Sequence, residues 1–515
     1  DNNGFGVVCL TQTDDNAIYA GTGENFIGSG IGGTPGEESS VYIGNGIYKS
    51  TDGENFTLLT NTGNFGNVGS LASYGNTILA GTQLGLRYST DGGANWSLLR
   101  SGSCKDVVIS KNGVVLCNIG SALFRSTDIT NAGSYSIVPG ISSNTRMAAA
   151  WSESDPNYCY VITAGNVDLG KDGTIDITSA LTGLWRSKDA GANWEEVLDQ
   201  ESTFFSPFSS GSRGQAFWDF CLGVHPRDRD RVFMGGIEFA EWSASKGPEI
   251  VGQTGRYSGN NPFVIHSDKH RIRFDNSGEF PIMYVCSDGG VVMTTDSTLR
   301  RYADRSINLT TTQYYAVAAN PAGEIIGSTQ DNGNILVETE AFPRKPGGDI
   351  LQLAGLFSGA DGFNCAMSQY NSDVMFAMAQ EAALGRSVDG GKNTLVIWDN
   401  RVRTSFNGTW PNDGAGFSAG LHLWENQDAI EGKALNGPSE FYDSIYDSRL
   451  FLWLTNGVWM CNNAAGSVHN GESPSNDNIR WFRQKAISVY PLLLLRHMKG
   501  KGTLLSKEIG SKPVF

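Results

Sequence analysis

Long apolar runs are missing from this chain. No uninterrupted stretch of about 18 apolar residues occurs, and the patch Leu492–Leu495 is far too short to cross a bilayer, so a membrane-spanning helix is excluded. Helical periodicity is equally scarce: no long segment repeats apolar residues at i, i+3, i+4 and i+7. Charge is sparse at 18% of residues, and acids outnumber bases 53 to 38 for a formal net charge of −15. The basic residues are scattered rather than gathered into a stripe, so a nucleic-acid polyanion would be repelled on average. The same acidic balance is compatible with neutral glycans, cationic surfaces or bound calcium. No C-x-x-C pair occurs among Cys9, Cys104, Cys117, Cys159, Cys221, Cys286, Cys365 and Cys461, which removes the common zinc and redox frameworks. Most of these thiols sit in apolar runs such as Tyr158-Cys-Tyr-Val161 and read as strand filler rather than disulfide staples.

Abundant instead are glycine, with 65 residues, and aromatics, with 25 Phe, 17 Tyr and 12 Trp, as expected of many short strands joined by tight turns. Short alternating or wholly apolar runs bounded by Gly, Asn and Asp recur throughout, which predicts an all-β fold. The length of 515 residues suits either two to four ordinary domains or one repeat array. The chain opens at Asp1 without Met, the start expected of a mature secreted protein or of a trimmed chain.

Self-similarity decides for the array. Ser50-Thr-Asp-Gly-Glu-Asn-Phe56, Ser89-Thr-Asp-Gly-Gly-Ala-Asn-Trp96 and Ser187-Lys-Asp-Ala-Gly-Ala-Asn-Trp194 are copies of one phrase, the Asp-box pattern Ser/Thr-x-Asp-x-Gly-x-x-Trp. Weaker copies follow at Ser126-Thr-Asp128, Ser287-Asp-Gly-Gly290 with Thr295-Asp296, and Ser387-Val-Asp-Gly-Gly391. The carboxylates of Asp52, Asp91, Asp189 and Asp389 can accept turn N–H groups. Gly53, Gly93, Gly191 and Gly391 supply positive φ, and Trp96 and Trp194 pack back over the hairpin. Ser50, Ser89, Ser187 and Ser387 complete the motif, and the role is structural rather than catalytic. Each box follows an apolar strand, a turn and a second strand, as in Ala17-Ile-Tyr-Ala-Gly21 leading to Gly46-Ile-Tyr-Lys-Ser50, which makes a four-stranded unit of roughly 40 to 55 residues. Further units are expected near Arg146, Phe217, His266, Tyr314, Gly362 and Phe441. The fold predicted is a β-propeller of about nine or ten four-stranded blades over residues 1–485, as one wide ring or two smaller propellers. Residues 486–515 read as a degenerate closing strand or linker.

With Gly327-Ser-Thr-Gln-Asp-Asn-Gly333, His266-Ser-Asp-Lys-His270, Gly359-Ala-Asp-Gly-Phe363 and Asn456-Gly-Val-Trp-Met460, the boxes resemble the secreted Asp-box (BNR-type) propellers of Bacteroidetes-type bacteria. The chain is more remotely similar to sortilin-type receptor propellers and to xyloglucan-cleaving glycosidases. The first resemblance implies type IX secretion, a place at the cell surface, and a protein partner there or in the secretion machinery. The C-terminal sorting domain such export uses is not in the sequence. The last resemblance implies glycan binding or cleavage, with no catalytic pair carried over, and no Arg triad of the sialidase kind is present.

Chemistry is expected where inner strands begin, beside the central channel. Asp219, Asp268, Asp361 and Asp443 occupy such places, with Asp106 a fifth. Gathered together, they would repel one another and raise pKa values or recruit a cation such as calcium, whereas separately each would cap its own turn. Asp219 and Asp361 are the candidates for a glycosidase pair, and Asp268 and Asp443 for binding. His266, Asp268 and His270 alternate along an expected strand and form a candidate metal set, against which stands a hydrogen-bonding role between blades. Trp398, Trp410 and Trp424, in the loop-rich stretch 398–440, are candidates for a sugar platform, against which stands ordinary blade packing.

Overall fold

In the computed structural model the chain divides into two compact units, residues 1–311 and 312–515. The residues described are 6–24, 44–143, 145–198, 200, 204–254, 261–306, 309, 312–337, 361–391, 393–398, 418–425, 448–455, 457–462, 464 and 481–483. Among them helix is confined to three 3-10 turns of three residues each, and the rest of the regular structure is strand.

The first unit holds six sheets whose four main strands pair antiparallel in chain order, with residues 23–46 lying between the second and third strands of the first sheet. Their first strands are Val7–Gln12, Val68–Tyr74, Cys104–Ile109, Arg146–Trp151, Cys221–Val224 and Lys269–Asp275. The second unit holds a sheet of three described strands beginning with Tyr314–Ala319, then four-stranded sheets beginning with Gly362–Met367 and Gly420–Trp424. Unit starts expected near Arg146, Tyr314 and Gly362 therefore fall on first strands. The start expected near Phe441 does not: the last sheet opens at Gly420, so part of the supposed 398–440 loop is its first strand, while Phe441 lies outside the described residues.

Burial follows strand order. Second strands such as Thr77–Thr82 and Val115–Ile119 are buried nearly throughout because neighbouring sheets cover both faces, which is why they read as continuous apolar runs. Fourth strands such as Ser97–Ser101 and Ser136–Ser142 are mostly exposed, whereas Leu395–Trp398 is covered. The cores lie between successive sheets: Tyr19, Val68, Leu71 and Ile78 fill the first interface, and Leu79, Leu86, Val107 and Val115 the second.

Successive first strands lie side by side and are tied across by polar side chains. Thr11 and Ser73 share a hydroxyl hydrogen bond of 2.9 Å, and Ser70 Oγ accepts from the Val107 N–H at 3.1 Å while donating to Asp106 Oδ1 at 3.2 Å. Asp106 Oδ2 accepts from the Ala149 N–H at 3.1 Å, so one carboxylate joins three strands. The Cys9 thiol donates to the Val68 carbonyl at 3.4 Å and the Cys221 thiol to the Lys269 carbonyl at 3.4 Å. All eight cysteines are free thiols, in keeping with strand filler. Close approach also needs bare backbone: a Cβ on Gly21 would lie 2.5 Å from Cys9 Sγ and 2.8 Å from a Val68 methyl. Gly81 and Gly235 stand at the same place in their sheets, facing Cys104 and Lys269 of the next first strand.

The repeated turns join third to fourth strands and share one bonding pattern. At Ser89, the hydroxyl donates to Asp91 Oδ1 at 2.8 Å and accepts from the Gly93 N–H at 2.9 Å. Asp91 in turn accepts from the Asn95 N–H and side-chain amide at 2.9 and 2.7 Å, and Trp96 Nε1 donates to the Gly93 carbonyl at 3.1 Å. Ser50–Asp52, Ser187–Asp189 and Ser387–Asp389 repeat the Ser–Asp–Asn part. The asparagine amide is the largest cause holding the Asp52 carboxyl well below the usual carboxylate range and that of Asp91 at about 2. Ser287-Asp-Gly-Gly290 departs from its expected place among these copies. It is the hairpin between the second and third strands of the sixth sheet, and Asp296 occupies the connection to the fourth.

Gly21→Val should lower unfolding free energy by about 1–3 kcal/mol through overpacking, whereas Gly63→Ala, with open space around it, should be neutral or slightly stabilising by denaturant titration. Ser89→Ala leaves the Gly93 N–H without its partner and should cost roughly 1–3 kcal/mol in the same measurement.

Candidate functional site

Side chains that fit no repeat gather where the fifth and sixth first strands begin. Residues 215–219 wind tightly, the N–H groups of Trp218 and Asp219 both donating to the Gln215 carbonyl at 2.7 and 3.1 Å. This turn drives Asp219 inward, where it is wholly buried just ahead of Cys221–Val224. Asp268 immediately precedes Lys269–Asp275 and has φ +57°, a left-handed conformation that Asp tolerates better than most residues. Asp288 projects from the hairpin at 287–290, which is seated on His266. A Cβ on Gly289 would lie 2.3 Å from the imidazole Cγ.

Two of these carboxyl groups converge: Asp268 and Asp288 present oxygens within 4.8 Å of each other, and the charge of Asp268 bears on Asp219. Among the described residues no donor reaches either carboxylate oxygen of Asp219, so a hydrogen bond between it and Asp268 needs a proton on one of the two carboxyl groups. Asp288 is held from both sides, by His270 Nε2 at 2.6 Å from Oδ1 and by Trp218 Nε1 at 3.3 Å from Oδ2. Gln215 Nε2 donates to Asp268 Oδ1 at 3.4 Å. Burial, then the charge of Asp268, pushes the Asp219 carboxyl well above the usual range. Burial and then Asp288 raise Asp268. Lys269, buried beside them, turns its ammonium to the Ile237 carbonyl at 2.7 Å, and the Arg146 guanidinium reaches the Trp218 carbonyl at 2.6 Å.

The sequence candidates divide on this geometry. Asp219 and Asp268 both precede first strands, and the charge of Asp268 raises the Asp219 pKa. Asp361 stands just before Gly362–Met367 and accepts from the Asp331 N–H at 2.9 Å, which is turn capping. Asp443 and Trp410 lie outside the described residues. His266, Asp268 and His270 do not alternate along one strand: the strands end at Ile265 and resume at Lys269, and the left-handed Asp268 breaks the pleat between. His266 Nδ1 sits 3.0 Å from the Ser267 carbonyl oxygen and His270 turns to Asp288. Trp398, offered as an exposed platform, is instead wholly buried between Trp459 and Trp481, each ring 5.2 Å away. Trp424 is half-buried with the Arg449 guanidinium 5.1 Å over its ring.

Asp288 was hidden from sequence reading because Ser-Asp-Gly-Gly imitates the repeated turn. The available signal was Thr294-Thr-Asp296, one strand later, which already fills that role.

The sequence matches no family model and no curated protein. Solved structures do resemble the fold. A GH74 xyloglucanase from Xanthomonas campestris superposes with a TM-score of 0.55 at 15% identity, over 92% of this chain and 67% of that one. An ancestral GH74 enzyme gives 0.43 at 14% identity over 93% and 71%, and YCF48 bound to D1 peptide gives 0.37 at 12% over 63% and 90%. At such identities the first of these likenesses shows the fold alone, and that fold is a β-propeller.

Because the folded state raises the Asp219 pKa, this carboxyl contributes stability that is fully present below the ordinary Asp value of about 3.9 and lost as pH rises through the folded value. Asp219→Asn should therefore gain stability over the wild type progressively from about pH 4 upward, as read by thermal unfolding at several pH values. A difference that does not change with pH would contradict the buried-acid assignment.

Proposed function

We propose that the chain is a non-catalytic Asp-box propeller of a bacterial cell-surface or secretion-linked assembly, exported from the cell, that binds a protein partner through loops and strand faces left open by the sheets. The carrying observation is that Asp219, the candidate acid, is 0% exposed, with neither oxygen meeting a donor among the described residues. A glycosidase needs two carboxyl groups about 5 to 9.5 Å apart with the sugar between them. Asp361 is occupied by a backbone N–H, and Trp398 is packed inside its sheet interface. Apolar side chains stay exposed on strands: Val7 and Leu10 on the first strand of one unit, Tyr314 and Val317 on that of the other. Exposed apolar strand faces suit association with another protein. The shared geometry of the four Ser–Asp turns supports the Asp-box reading.

A second reading, a polysaccharide-cleaving glycoside hydrolase, is favoured by the fold likeness to the xyloglucanase. One assay separates the two. Purified chain incubated with xyloglucan and other β-glucans should release no reducing sugar, while the immobilised chain retains a protein from envelope extract. Release that disappears in Asp219→Asn or Asp361→Asn would establish the hydrolase instead.

A further inference from the structure

We draw no further inference here: the strongest candidate, the aromatic face of the last sheet on which His422, Phe451, Met460 and Phe482 align across four strands beside Trp453, carries nothing because nothing in the structure shows what covers it.

Discussion

The edge-to-edge meeting of first strands is the constraint on which the rest of the structure rests. A meander of four short strands cannot cover its own faces, so each sheet is stable only against a neighbour. The neighbours meet most tightly at the strand Val7–Gln12 and its successors, where Gly21 and Gly81 allow backbone to approach and Ser70, Asp106 and two thiols tie one strand to the next. Farther out, the interfaces fill with aliphatic and aromatic side chains, and at the periphery the Ser–Asp turns close the hairpins with local hydrogen bonds only. Long-range order comes from the inner strands and local order from the turns.

This division explains where polar chemistry is found. A carboxylate at the start of a first strand is drawn into the same crowded region that builds the scaffold. Asp106 is absorbed there, with three strands sharing its oxygens. Asp219 enters a comparable position where no donor among the described residues meets it, and the charge of Asp268 raises its pKa further. Two carboxylates of similar sequence setting thus end with opposite roles, one a tie and one an unsatisfied acid, and only the neighbours decide which.

The all-β class and the repeat were legible in sequence because turn chemistry is local: Ser, Asp, Gly and Asn within seven residues carry their whole hydrogen-bond pattern with them. Inner strands such as Cys221–Val224 and Tyr314–Ala319 were legible as apolar runs. The last sheet was not, since its first strand Gly420–Trp424 is short and separated by 24 residues from its partner Arg449–Leu454, so no turn signal joins them. Trp398 misled because a tryptophan beside a loop reads as exposed, although it closes a fourth strand that the next sheet covers. Of the candidate site, Asp219 and Asp268 were visible as strand-start acids. Asp288 was concealed by its likeness to the repeated turn, and the His266–His270 alternation failed at one positive φ that sequence does not announce.

The most direct measurement of the inner-strand account is a double-mutant cycle on Ser70 and Asp106, which belong to different sheets and meet at 3.2 Å. Unfolding free energies of Ser70→Ala, Asp106→Ala and the pair should show a coupling of about 0.5–3 kcal/mol, since either substitution alone breaks the tie. Strict additivity of the two losses would contradict the claim that these polar links hold neighbouring sheets together.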